Sequence, residues 1–154
     1  LPFTFHLYKI VPLREKNQKK EACDKMAQKK ILIVDDDKEY LEELSEMLTI
    51  AGYDITAISD GSSAIKAAQA TAPDLILMDL RMPAMSGFEV ADRLKALTQT
   101  SKIPVIAITG YYTMKEHVWL MKFCGIKRCI KKPANPLDIK AEIESVLKEE
   151  GSSE

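Results

Sequence analysis

A chain of 154 residues, 46% apolar and 29% charged, has the composition of one compact domain and excludes a fibre or a chain disordered throughout. Its net charge of −1 leaves no whole-chain footprint for nucleic acid, and no apolar run approaches the roughly 18–20 residues that a membrane span requires. Three cysteines, Cys23, Cys124 and Cys129, have the spacing of neither a disulfide framework nor a zinc site and suit a reducing, cytoplasmic compartment.

Charge is unevenly placed. Residues 1–29 carry seven Lys/Arg against three Asp/Glu, and the remainder carries fifteen against twenty. A basic leader, residues 1–28, therefore precedes a modestly acidic domain over 29–149. The stretch Leu1 to Leu13 is apolar in part, but it lacks a positive n-region and a small-residue cleavage site, so it is not read as a signal peptide. Met26-Ala27-Gln28-Lys29-Lys30 has the form of an ordinary chain start. That leaves the leader as an upstream read-through, a cloning remnant or a genuine arm, with a nucleic-acid-binding arm as an alternative.

The first predicted strand, Ile31–Val34, is a continuous apolar run that ends in Asp35-Asp36-Asp37. Asp37, just before Lys38-Glu39-Tyr40-Leu41, is read as a helix N-cap. Tyr40, Leu44, Met47 and Leu48 recur at helical spacing and stop at Gly52. Tyr53 to Ile58 alternates as a strand, and Asp60-Gly61-Ser62 opens an Ala-rich helix over Ala64 to Ala70. Pro73 begins the next strand, in which Leu75 to Met78 lead into Asp79 and a Pro/Gly turn through Gly87. Phe88, Ala91, Leu94 and Leu97 form a third helical stripe.

Ile103 to Ile108 runs into Thr109-Gly110, and a fourth helix spans Tyr112 to Phe123 and ends at Gly125. Met114, His117, Trp119 and Met121 on that helix are read as core and surface packing rather than a ligand site, because His117 has no acid or Cys pattern that would make it a ligand or a base. Cys129-Ile130-Lys131 runs into Lys132-Pro133. Asn135 as cap and Pro136 at the first helical position open a fifth helix, with Ile139, Ile143, Val146 and Leu147 toward the core. Residues 150–154 are read as a flexible tail. Strand and helix alternate five times, which argues for βα units around a parallel sheet.

Chemistry collects at the strand ends. An acid at the mouth of a buried strand is costly unless it has a use, and open α/β sheets place ligands at their carboxyl edge. If the first and third strands are parallel neighbours, Asp35, Asp36 and Asp79 converge, and three ionised carboxylates need a cation. Mg2+ is the natural candidate: it takes oxygen ligands and is held by one or two carboxylates plus phosphate oxygens. Thr109 adds a hydroxyl and Lys132 an ammonium suited to a phosphoryl oxygen. Gly110, without a side chain, would keep that approach open. Taken singly, Asp79 reads equally well as a turn residue, Thr109 as structural and Lys132 as a solvated loop charge.

The order acid pair, single acid, Thr, Lys-Pro, each after its own apolar strand, resembles the receiver domain of two-component response regulators over about Lys29 to Leu147. Asp79-Leu80-Arg81-Met82-Pro83-Ala84-Met85-Ser86-Gly87 is similar to that family's phosphoacceptor loop. The resemblance implies a flavodoxin-like (βα)5 doubly wound sheet of strand order 2-1-3-4-5. It implies that Asp79 accepts a phosphoryl group from the phosphohistidine of a sensor histidine kinase or phosphotransfer protein and later loses it by slow autodephosphorylation. Asp36, Asp79 and the Arg81 carbonyl would hold Mg2+, and Asp35 would act through a metal-bound water. Thr109 would bind the phosphoryl oxygen and shift inward, and Lys132 would pair with the phosphoryl group, its bond to Pro133 being cis. The partner face would be the fourth helix, fifth strand and fifth helix, binding a downstream protein, with a phosphorylation-dependent homodimer as a further option. Neither direct nucleic-acid binding by this domain nor a membrane contact is implied.

Departures from the family pattern are local. Cys129 stands where the family usually has Tyr or Phe, the aromatic that swings with the Thr, and Gly110 stands where Ala is commoner. Arg81 and Tyr111 occupy positions that in the family influence loss of the phosphoryl group, and they are expected to screen it weakly from water. Two other classes share parts of this pattern. A haloacid-dehalogenase-type phosphatase would place its nucleophile in Asp35-Asp36-Asp37, but Lys38 does not fit it and Asp79 would have no purpose. A pseudo-receiver would keep the fold without phosphorylation; Cys129 favours it, and the full set of acids, Thr and Lys opposes it.

Overall fold

The computed structural model describes residues 28–111 and 114–153. The expected leader, with Cys23, and the expected helix positions Tyr112 and Thr113 lie outside the described residues. Five strands, β1 (Lys30–Val34), β2 (Asp54–Ile58), β3 (Leu75–Met78), β4 (Val105–Thr109) and β5 (Ile126–Lys131), alternate with five helices. These are α1 (Lys38–Ile50), α2 (Gly61–Thr71), α3 (Gly87–Ala96), α4 (Met114–Phe123) and α5 (Pro136–Gly151). All strand pairs are parallel, in the order β2-β1-β3-β4-β5. That is the fold class the strand and helix alternation and the family resemblance anticipated.

The unbroken apolar strands follow from burial on both faces. Leu32, Val34, Ile76, Met78, Val105 and Ala107 turn one way and pack with Ala64, Ala68, Val90, Ala91, Leu94 and Met121 from α2, α3 and α4. Ile31, Ile33, Leu75, Leu77, Ile106 and Ile108 turn the other way, onto Leu41, Leu44 and Leu48 of α1 and Ile139, Ile143 and Val146 of α5. The strand period of two thus deals alternate residues to two separate cores.

Helix starts obey local chemistry. Asp37 accepts from the Tyr40 N–H (3.2 Å), Asp60 from the Ser63 N–H (2.8 Å) and Asn135 from the Leu137 N–H (2.9 Å), with Pro136 at the first position of α5. Each such cap contributes about 1 kcal/mol. α1 stops at Ala51, followed by Gly52 in the left-handed region at φ 98°, where glycine has no steric penalty. α4 carries a break at His117 (φ −124°, ψ 25°).

Three expectations are adjusted. The α2 helix begins at Gly61, directly after its Asp60 cap. The buried stripe of α3 is Val90, Ala91 and Leu94, with Leu97 serving as the C-cap. α5 continues to Gly151, two residues into the expected tail, because its last turn is tied down. Ser152 and Ser153 hydroxyls donate to the Lys148 and Glu149 carbonyls (2.9 and 3.0 Å), and Lys127 of β5 pairs with Glu150 (3.2 Å).

Candidate functional site

Strand register brings the acids together. Val34 of β1 is paired with Met78 of β3, so the next residues, Asp35 and Asp79, leave the sheet side by side. The Asp79 N–H donates to the Val34 carbonyl (2.9 Å), carrying the pairing one residue past the strand. β1 has β2 on one side and β3 on the other, so the acids sit at the topological switch point, where doubly wound sheets bind ligands. One carboxylate oxygen from each of Asp35, Asp36 and Asp79 lies within 4.8 Å of the others; Asp35 and Asp79 are buried and Asp36 is exposed.

Lys132 arrives from the far side of the sheet. Thr109 of β4 pairs with Lys131 of β5, and the Lys132 N–H donates to the Thr109 carbonyl (3.0 Å). The Lys132-Pro133 bond is cis, as the resemblance implied. Lys132 Nζ then lies 2.5 Å from Asp35 Oδ2 and 3.6 Å from Asp79 Oδ2. Burial disfavours the Lys132 ammonium, but the hydrogen bond it donates to Asp35 and the charges of Asp35 and Asp79 outweigh it, so its pKa is raised. For Asp35 the balance runs the other way. Burial raises its carboxyl above the usual range although Lys132 and the Asp37 N–H (2.9 Å) both favour the anion.

The remaining residues have distinct positions. Asp79 Oδ1 accepts from the Arg81 N–H (3.1 Å), and the Arg81 guanidinium carbon lies 3.8 Å above the Tyr111 ring. Asp36, Asp79, Arg81, Met82, Pro83, Gly110, Tyr111 and Lys132 line one cleft of about 550 Å³. Thr109 is fully buried behind it, at the end of β4, and its hydroxyl accepts from the Tyr111 N–H (3.4 Å). Gly110 is not needed to keep the cleft open, since a Cβ there would meet only Lys132 Cβ at 4.0 Å. Cys129 is half-buried beside Ala107 and packs against the core beneath α2, α3 and α4.

Away from the cleft, Met121 is buried as a packing residue should be, whereas Trp119 is 72% exposed and Phe123 62% exposed on the same helix. Two features escaped the sequence reading. Ser86 and Glu89 form a reciprocal capping box at the start of α3 (Ser86 N to Glu89 Oε2 2.8 Å; Glu89 N to Ser86 Oγ 3.3 Å), and the Ser-x-x-Glu spacing was its available signal. The other is Tyr40, whose ring centroid lies 4.1 Å from Lys132 Nζ. No local pattern announces a contact between residues so far apart in the chain.

The donor set suits a small hard cation: three carboxylates converge, two of them buried, with one ammonium to balance them. Among the described residues no helix is long and apolar enough to cross a membrane.

The model of the response regulator receiver domain family matches residues 31–144. The DNA-binding response regulator MtrA of Mycolicibacterium smegmatis is 35% identical over 125 residues, covering 81% of this chain and 53% of that protein. The alkaline phosphatase synthesis transcriptional regulatory protein PhoP of Bacillus subtilis is 32% identical over 120 residues, covering 78% of this chain and 49% of that protein. The chain spans about half the length of these curated relatives. Among solved structures, a CheY-like response regulator receiver domain protein of Methanospirillum hungatei superposes with a TM-score of 0.77 at 27% identity, covering 83% of this chain and 100% of that one. The Vibrio cholerae chemotaxis protein CheY4 superposes with a TM-score of 0.74 at 29% identity, covering 78% of this chain and 99% of that one.

Proposed function

The chain belongs to the response regulator receiver family, and from that premise we propose that it accepts a phosphoryl group on Asp79 and signals by the resulting change of shape. The observation that carries the reading is the convergence of Asp35, Asp36 and Asp79 within 4.8 Å, with Lys132 Nζ between Asp35 and Asp79. A phosphatase built on Asp35-Asp36-Asp37 would leave Asp79 peripheral, whereas Asp79 shares the cluster with Asp35 and Asp36 and lies 3.6 Å from Lys132 Nζ.

The transfer is written as an in-line displacement. An Asp79 carboxylate oxygen attacks the phosphorus of a phosphohistidine, the P–N bond breaks, and its electron pair stays on the imidazole of the sensor kinase or phosphotransfer protein. The Arg81 N–H fixes Asp79 Oδ1, and Lys132, 3.6 Å from Oδ2, offsets charge on the arriving phosphoryl oxygens. Thr109 supplies a hydroxyl to one of those oxygens. Asp36, Asp79 and the Arg81 carbonyl would hold Mg2+ directly and Asp35 through a water; when bound, the cation offsets the negative charge shared by the carboxylates and the phosphoryl group. Hydrolysis of the acyl phosphate returns Asp79 and inorganic phosphate, which limits the signal in time.

The added charge alters the face formed by α4, β5 and α5, and a downstream protein or a second copy of the chain reads it. Exposed Trp119 on α4 and Leu137 on α5 support a partner surface there. Relatives longer than this chain include a DNA-binding response regulator. A cytoplasmic location follows from the kinase partner. The test of the reading is phosphoryl gain on the parent chain against Asp79→Asn.

A further inference from the structure

We propose that Tyr40 is a positioning residue for Lys132, holding its ammonium over the acid cluster through the face of its ring; this rests on the reading that Lys132 meets the phosphoryl group. The Lys132 Nζ lies 4.1 Å from the Tyr40 ring centroid, within the range of a cation–π contact. The ring is itself well fixed. Tyr40 sits in the first turn of α1, its N–H bound to the Asp37 cap (3.2 Å), and its half-buried side chain packs against the core beneath α1 and α5.

The need for such a residue comes from the lysine. A four-carbon stem is flexible, and an ammonium is strongly hydrated, so nothing in Lys132 alone keeps it in the cleft. Asp35 Oδ2 holds it at 2.5 Å, but a lysine tied only to Asp35 would have to break that bond to serve a phosphoryl group on Asp79. A ring face attracts the ammonium from a third side without competing for its donors in a charged hydrogen bond. It keeps the group in place while its carboxylate partners change. The hydroxyl is not what this contact uses: Tyr40 Oη is buried and has no hydrogen-bond partner among the described residues. The ring is therefore the functional part, and phenylalanine should replace it.

The experiment uses the full chain with Tyr40→Phe, Tyr40→Leu and Tyr40→Met, each also in a Lys132→Met background. The Lys132 side-chain proton shifts are read by NMR, and the rate of phosphorylation by acetyl phosphate with Mg2+ by intact mass. The parent and Tyr40→Phe are expected to show the same upfield ring-current shift at the Lys132 methylenes and rates within about 1.5-fold of each other. Tyr40→Leu and Tyr40→Met lose the shift and slow about 5-fold, an effect absent when Lys132 is Met. Absence of the upfield shift in the parent overturns the contact. Leu or Met variants that lose the shift yet react at the parental rate overturn the positioning role, as does equal slowing in the Lys132→Met background. A parent that shows the shift but takes no phosphoryl group removes the phosphoacceptor reading instead, and the role with it.

Discussion

Gly87 packs directly on the peptide that carries Asp79. A Cβ built on Gly87 would run into the Asp79 carbonyl oxygen and stand 2.8 Å from Leu80 Cα, and the Gly87 N–H donates to the Leu80 carbonyl (3.0 Å). The obstacle is backbone, so no rotamer change relieves it, and the first turn of α3 is seated against the loop that follows Asp79 only because residue 87 has no side chain. Gly87→Ala is expected to lower stability by about 3 kcal/mol in urea denaturation, and Gly110→Ala to stay within about 0.5 kcal/mol of the parent. A Gly87→Ala chain as stable as the parent would mean that loop and helix are not in this contact.

Ser86 precedes that glycine and caps the same helix. Ser86→Ala removes an acceptor for the Glu89 N–H and the partner of its carboxylate, for an expected loss of about 1 kcal/mol. Thermal melts of Ser86→Ala, Glu89→Ala and the double variant would show whether the two act as one box: the loss in the double variant should be less than the sum of the single losses.

Arg81 stacked on Tyr111 forms a cover beside Asp79. The pair is exposed, Tyr111 to 64%, so the contact is worth about 0.5–1 kcal/mol. Tyr111→Ala is expected to speed loss of the phosphoryl group by about 2–5-fold, followed as decay of the phosphorylated mass after removal of the donor. A slower decay would assign the pair another role.

Asp35 makes stability depend on pH. Burial raises its folded-state carboxyl above the unfolded value near 3.8, so between those values the native chain binds more protons than the unfolded one. Its contribution is then lost as pH rises through that window. In the presence of EDTA, the stability of the parent minus that of Asp35→Asn should fall as pH rises above the unfolded value near 3.8, measured by urea denaturation. Mg2+ at one hundred times its Kd should restore about 2.7 kcal/mol to the parent, and much less to Asp35→Asn.

What could be read from the chain divides along physical lines. Strands β1, β3 and β4 are continuous apolar runs because both faces are covered, and their ends were legible from residue type alone: Asp35, Asp79 and Thr109 each interrupt an apolar stretch. Asp37 and Asn135 were legible because capping is a local event within three residues. Tyr40 over Lys132 and Arg81 over Tyr111 were not, because they depend on which loops the sheet order brings together. Gly110 shows the converse error, in which a glycine invites a steric explanation that its open surroundings do not need.

The central claim is that Asp79 is the phosphoacceptor of a Mg2+-dependent switch, and intact mass after incubation with acetyl phosphate tests it most directly. The expected result is a gain of one phosphoryl group on the parent chain with Mg2+, lost in EDTA and absent in Asp79→Asn. No gain under any of these conditions, or consumption of acetyl phosphate that survives Asp79→Asn, would contradict it.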